Sequence, residues 1–352
     1  MKQPEKSRGN PREPDCPHGR GPAGGPVRRD GEPDGSLRGR GGEGFWVCWV
    51  LKQLFSIEAF SGRLLFKGGT SLSKIFRAIN RFSEDIDLAV DYAALGFTGL
   101  RDPRRQGLSR TKQTKLLAEM LRDCQRYIAS GFISEFRTRC QAALGTDGNW
   151  STAIDDRDPH VVRFHYPTSI AARLAYIAPQ VVLELGTHAE FIPRDEFSIR
   201  PFAAEEFPRL FVEPEVRVTA LLAKRTFWEK ATILHAQYHR GPGKPVLARY
   251  SRHYYDVAML SQTPIKDEAL ADLQLLRDVV RHKETLYPAA WARYDLAVPG
   301  SLKLAPAGAG VSALKQGYRD MAMMIFGDPP RFESVMEKLT ALEGEVNALA
   351  SA

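Results

Sequence analysis

At 352 residues, 43% hydrophobic and 26% charged, the chain is long enough for two domains and has the composition of a globular protein. It has no run of about eighteen apolar residues and no apolar signal segment near its start, so no membrane span or export is expected and a cytoplasmic location is. The net charge of +7 comes with basic clusters at Arg101, Arg104, Arg105, Arg110, Lys112 and Lys115 and at Arg240, Lys244, Arg249 and Arg252; these fit a polyanionic partner or a solvated basic surface.

Residues 1–44 are rich in Gly and Pro and nearly devoid of large apolar side chains, so they form an expected disordered tail. Phe45 to Phe55 reads as a buried helix. Leu64-Leu65-Phe66 reads as a central strand, followed by Lys67-Gly68-Gly69-Thr70-Ser71 and a helix to Ile79 with apolar residues at Leu72, Ile75, Phe76 and Ile79. Gly68 and Gly69 permit positive φ and close approach to an anion, and Thr70 and Ser71 add hydroxyls. The spacing matches neither a P-loop nor G-x-G-x-x-G.

Phe82 to Val90 reads as a buried strand carrying Asp85 and Asp87 on one face. Two such carboxylates repel unless a cation lies between them, and a hard ion such as Mg²⁺ (or Mn²⁺) suits oxygen ligands and nucleotide phosphates. Ser83 shares their side and could contact phosphate or be modified. Lys67 is either a phosphate contact or a strand-end charge, and Lys74, one turn after Thr70, is placed to reach phosphate. A phosphate-cradling turn beside paired carboxylates is the chemistry of nucleotidyl transfer.

Further on, 108–143 reads as one or two helices, 144–160 as polar loop, and Val161–Phe164, Ala171–Tyr176 and Val181–Leu185 as strands. After Pro208 the pattern is helical: Val218–His239, Arg252–Leu260, Lys266–Lys283, Ser312–Ile325 and Pro330–Leu349. His235 and His239 lie at i,i+4 but without H-E-x-x-H, so they and His253 are read as phosphate contacts or hydrogen-bonding residues rather than zinc ligands. Cys16, Cys48, Cys124 and Cys140 lack C-x-x-C spacing and fit free thiols.

The blocks K-G-G-T-S-L-S-K (67–74) and R-F-S-E-D-I-D-L (81–88), then V-V-L-E-L-G (181–186), K-R-T-F-W-E-K from Lys224 and R-Y-S-R-H-Y-Y-D ending at Asp256, resemble the AbiEii/AbiGii toxin family of nucleotidyltransferases over roughly residues 43–345. The resemblance implies an α/β (α+β) fold: a polymerase β-like nucleotidyltransferase core with a mixed sheet over 45–207 and a helical C-terminal domain over 208–352. It also implies NTP- and Mg²⁺-dependent transfer of nucleotides, with a tRNA 3′ end as the acceptor in relatives, a cognate antitoxin, and phage defence by abortive infection. Carried over by position, Asp85 and Asp87 would bind metal and Glu184 would supply a third carboxylate, unless it forms a structural salt bridge. Lys230 would contact triphosphate, unless it is a surface lysine. Asp256 would orient Lys230 or a base, unless it pairs with Arg252. Glu43-Gly44-Phe45 replaces the Glu-Lys-Asp-like triplet of the family, which puts the frame upstream of Phe45 in question. The rival readings are transfer to a protein or small molecule, a kinase, or a non-catalytic nucleotide-binding protein.

Overall fold

The computed structural model describes residues 36–83, 85–146, 148–167, 179–211, 213–241, 244, 249–308 and 310–351. The expected edge strand at 171–176, Glu84 and most of the expected tail lie outside these residues. The first helix, α1 (Ser36–Phe55), starts inside the stretch read as tail.

Seven strands form one mixed sheet in the order β3-β4-β5-β2-β1-β7-β6. They are β1 (Leu64–Lys67), β2 (Asp85–Val90), β3 (Ser151–Ile154), β4 (Val161–His165), β5 (Gln180–Gly186), β6 (Arg194–Ile199) and β7 (Val216–Leu221). β2 runs antiparallel to β1 and parallel to β5, and β1 runs parallel to β7. β3 lies in the stretch read as loop. β7 lies beyond residue 207, so the sheet extends past the expected domain boundary.

The period-2 pattern gives the sheet its two faces. Leu64, Phe66, Ile86, Leu88, Val90, Val181, Leu183, Leu185, Val216, Val218 and Ala220 point into one core with α1, α3 (Arg110–Tyr127) and α4 (Ile133–Leu144). A π turn at Ile128–Phe132 joins those last two helices. The opposite face carries Lys67, Asp87 and Glu184 as cross-strand neighbours on β1, β2 and β5.

α2 is only Gly68–Lys74, and Arg77 adopts φ +49, so the expected helix stops short of Ile79. The apolar spacing that suggested a longer helix serves two cores: Ile75 packs on the sheet core, whereas Leu72, Ala78 and Ile79 join the helical one.

The expected helix from Val218 splits into β7 and α6 (Ala223–Tyr238). β-branched residues at 216, 218 and 219 favour the strand, and Val216, Val218 and Ala220 are its buried positions. The expected helix 266–283 is likewise two, α8 (Pro264–Leu270) and α9 (Leu273–Leu286), because the Asp272 side chain accepts from the Leu275 amide and starts a new helix. α7 (Ser251–Leu260), α10 (Gly310–Ala322) and α11 (Phe332–Ala348) complete the helical core, along with a short α5 (Phe202–Glu206) beside α1. The α10–α11 connector reaches back to the segment before β2: the Phe82 amide donates to the Met324 carbonyl at 2.6 Å and the Phe326 amide to the Asn80 carbonyl at 2.7 Å.

Candidate active site

Because Ile86 and Leu88 turn into the sheet core, Asp85 and Asp87 project from the opposite face. Asp87 stands across from Lys67 on β1 and from Glu184 on β5, and Asp85 stands across from Val182. The three carboxylates expected to act together thus share one face of two adjacent strands.

Burial pushes the Glu184 carboxyl up to about 9, with Asp87 and Asp85 adding to the rise. Burial and then Asp87 also raise Asp85, against the pull of Arg252, Arg249 and Arg81. Like charges this close oppose one another's ionisation, and a cation between them relieves the repulsion. Asp85, Asp87 and Glu184 do not close into a three-ligand cluster: among the described residues no group of three His, Cys, Asp or Glu side chains is spaced to hold an ion. Mg²⁺ commonly takes one or two protein carboxylates and fills its octahedron with water and substrate phosphate. Asp85 and Asp87 fit that requirement, with Glu184 beside them.

The glycine pair has a more specific role than conformational freedom. Gly68 has φ +80, and a Cβ there would stand 1.8 Å from Asp87 Oδ2. A Cβ on Gly69 would stand 2.4 Å from Arg81 Nη2. The turn is pared to backbone so that a carboxylate and a guanidinium of the chain itself can lie against it. The Thr70 hydroxyl donates to the Asp85 carbonyl and the Ser71 hydroxyl to the Gly68 carbonyl, at 2.5 and 2.9 Å. Both side chains are buried, so these hydroxyls brace the turn and tie it to β2. Lys74 leaves the row altogether: its ammonium lies 4.3 Å from the Phe202 ring centroid, near Cys48 and Glu205, and burial lowers its pKa.

Opposite the row, Asp256 on α7 is completely buried and bound on both oxygens. Arg81 Nε donates to Oδ1 at 2.7 Å and Arg81 Nη2 to Oδ2 at 2.9 Å. Lys230 Nζ, from α6, lies 2.9 Å from the same Oδ2 and 3.4 Å from His253 Nδ1. Burial alone would raise Asp256, but Arg81 and Lys230 hold it well below the usual carboxylate range. Burial lowers Lys230, and Asp256 opposes the fall. Asp256 and Lys230 are therefore brought together as expected, and Arg81 joins them.

Sequence reading passed over Arg81 except as a letter in its block. The available signal was an arginine amid A-I-N-R-F, a stretch otherwise built for burial. Arg249 was legible only as part of a basic cluster, and Arg252 as that or as a helix partner of Asp256; the charges of both pull the Asp85 carboxyl down against its burial. Lys67, across from Asp87 on β1, pulls on the carboxyls of Glu184 and Glu229 against their burial. Ser83 is half-buried just ahead of β2. His235 lies apart from the row: its Nε2 bonds the Arg293 carbonyl and its Nδ1 accepts from the Lys303 amide, so it holds loops of the helical half together. In the first basic cluster, Arg101 pairs with Glu119 and Asp123, and Arg104 with Asp102 and Glu190.

Comparison with known proteins gives the following. The family model "Nucleotidyl transferase AbiEii toxin, Type IV TA system" matches residues 49–340. Among solved structures, the chain is similar to MenT4, a nucleotidyltransferase toxin from Mycobacterium tuberculosis H37Rv, at 15% identity and a TM-score of 0.34, over 87% of this chain and 93% of that one. It is also similar to JHP933 from Helicobacter pylori, at 13% identity and a TM-score of 0.34, over 90% of this chain and 99% of that one. No curated protein matches.

Proposed function

The chain belongs to the AbiEii nucleotidyltransferase toxin family of type IV toxin–antitoxin systems, and on that premise we propose that it transfers a nucleotide from an NTP, in the presence of Mg²⁺, to the 3′ end of a tRNA. The observation that carries this reading is the pair Asp85 and Asp87 on one face of β2, with Glu184 beside them and the Asp256-bound cations Arg81 and Lys230 opposite.

Asp85 and Asp87 would hold the metal. When bound, Mg²⁺ neutralises the triphosphate and eases ionisation of the acceptor hydroxyl. The hydroxyl gives up its proton to solvent as its oxygen bonds to the α-phosphorus, the bond from that phosphorus to the α–β bridging oxygen breaks, and pyrophosphate leaves. Asp256 keeps Lys230 and Arg81 at one edge of the row, and the glycine turn fixes Asp87. Fixed charge placed where charge develops is worth roughly a hundredfold or more in rate.

The same proposal includes an antitoxin encoded nearby and a cytoplasmic setting. Among the described residues no helix is long and apolar enough to cross a membrane. The test is to incubate the protein with each α-³²P NTP, Mg²⁺ and total tRNA. Label on tRNA from one NTP identifies donor and acceptor together. Label on protein, or none on RNA, moves the acceptor elsewhere.

A further inference from the structure

Of the two cations on Asp256, Lys230 comes from α6, whereas Arg81 comes from the segment that leads into β2. An arginine beside a nucleotide site is ordinarily assigned to the triphosphate. Arg81 is 3% exposed, and its contacts are with the chain itself.

Its guanidinium is held from two sides. Nε and Nη2 donate to the two oxygens of Asp256 at 2.7 and 2.9 Å, a paired geometry that fixes the plane of the group. The same Nη2 lies against Gly69, where a Cβ would collide with it. The backbone around Arg81 is fixed as well, because the Phe82 amide donates to the Met324 carbonyl and the Phe326 amide to the Asn80 carbonyl. A guanidinium tip usually swings away from a crowding methyl at little cost. This one cannot do so without giving up a bond to a buried carboxylate.

Gly69 is the second residue of α2, and its backbone is not in the left-handed region. Alanine is the better helix former, so backbone conformation does not require glycine there. The Arg81 contact does. Gly68 makes room for the Asp87 carboxylate in the same way. One line of contacts therefore runs from Asp256 to Arg81, from Arg81 to Gly69, and from Gly68 to Asp87.

We propose that Arg81 is a positioning residue: braced by Asp256, its guanidinium is the stop against which the glycine turn rests, and through that turn it sets where Asp87 stands. This rests on the nucleotidyltransferase reading. A residue that acts this way touches neither donor nor acceptor, so disturbing it lowers turnover and leaves donor affinity alone.

The experiment is steady-state pyrophosphate release with each NTP, Mg²⁺ and total tRNA. It uses wild type, Gly69→Ala, Arg81→Lys and the double variant. The control is Gly344→Ala in α11, where a Cβ would meet nothing within 4 Å. Far-UV circular dichroism confirms each fold. Gly69→Ala and Arg81→Lys should each lower kcat about tenfold or more, with KM for NTP within about twofold of wild type, because a shift of about 1 Å at a catalytic group is that costly. Gly344→Ala should match wild type. In the double variant the two losses should not multiply, since lysine has no Nη2 for the new methyl to strike. A raised KM with kcat unchanged would assign Arg81 to the triphosphate, and losses that multiply would show Gly69 and Arg81 acting separately. Either result overturns the proposal and leaves the nucleotidyltransferase reading standing. If wild type releases no pyrophosphate from any NTP, that reading falls and the proposal with it. Should Arg81→Lys fail to fold, Gly69→Ala against Gly344→Ala still decides through the same split between kcat and KM.

Discussion

Single atoms set the geometry of this site. The carboxylate of Asp87 occupies the space that a side chain at Gly68 would need, at a backbone angle that disfavours any side chain. Gly68→Ala therefore has two effects. The left-handed backbone costs about 1–2 kcal/mol, a tolerable loss of stability. The displaced carboxylate is more serious, because a misplacement of about 1 Å in a catalytic group costs roughly a hundredfold. Steady-state kinetics on the folded variant should show kcat reduced about a hundredfold; a wild-type kcat would mean that Asp87 is not where the chemistry happens. The residues of this site were largely legible in the sequence. The two-residue spacing of Asp85 and Asp87 fixed their common face, and the glycines marked a close approach. What approaches was not legible: the neighbours are Asp87 and Arg81, and identifying them needs the pairing of β1 with β2 and the path of 75–81.

At the scale of elements, one carboxylate ties three segments together. Asp256 on α7 holds Arg81, ahead of β2, and Lys230 on α6. Removing one partner from a buried charge network leaves the others uncompensated, at about 3–5 kcal/mol. Asp256→Ala should lower the unfolding free energy measured by urea titration by an amount in that range, seen as a lower midpoint, and activity should fall with it because α7 no longer grips the segment leading into β2. A midpoint equal to that of wild type would show that the network carries no load. The exposed pair Lys315–Glu333 makes the contrast, since Lys315→Ala should leave the midpoint unchanged. Sequence periodicity found α7 and the last two helices but fused β7 with α6 and α8 with α9. In the first case alternation and helical spacing overlap at Val218 to Leu222, and in the second the break is a single capping contact from Asp272. It also read 144–160 as loop and assigned no strand to 194–199, because β3 and β6 are edge strands with little apolar alternation to betray them.

Across the whole molecule, the sheet and the helical half are joined a second time, away from the acidic row. Glu190, in the turn after β5, pairs with Arg104 and with His282 on α9. The His282 ring and the Tyr287 hydroxyl both bond the His188 carbonyl at 3.1 and 3.0 Å. Burial pushes the Glu190 carboxyl up, but His282 and Arg104 override it and bring it to about 2. A carboxyl lowered on folding stabilises the fold fully above its unfolded value, near 4.3, and loses that contribution as pH falls toward 2. The stability gap between wild type and Glu190→Gln, followed by urea unfolding, should be widest at pH 6 and shrink steadily toward pH 3. A gap independent of pH would place the work of Glu190 in packing. None of this junction was legible in the sequence, because its partners lie far apart along the chain: Arg104, Glu190 and His282 meet only once the sheet has formed.

In the proposed reaction Asp85 and Asp87 together hold the ion that makes transfer possible. The direct measurement is pyrophosphate release from NTP with total tRNA, across a Mg²⁺ titration, for wild type, Asp85→Asn and Asp87→Asn, each confirmed folded by circular dichroism. Wild type should release pyrophosphate in a Mg²⁺-dependent manner, and both variants should lose about a hundredfold or more at every Mg²⁺ concentration. Release at the wild-type rate by either folded variant would contradict that role.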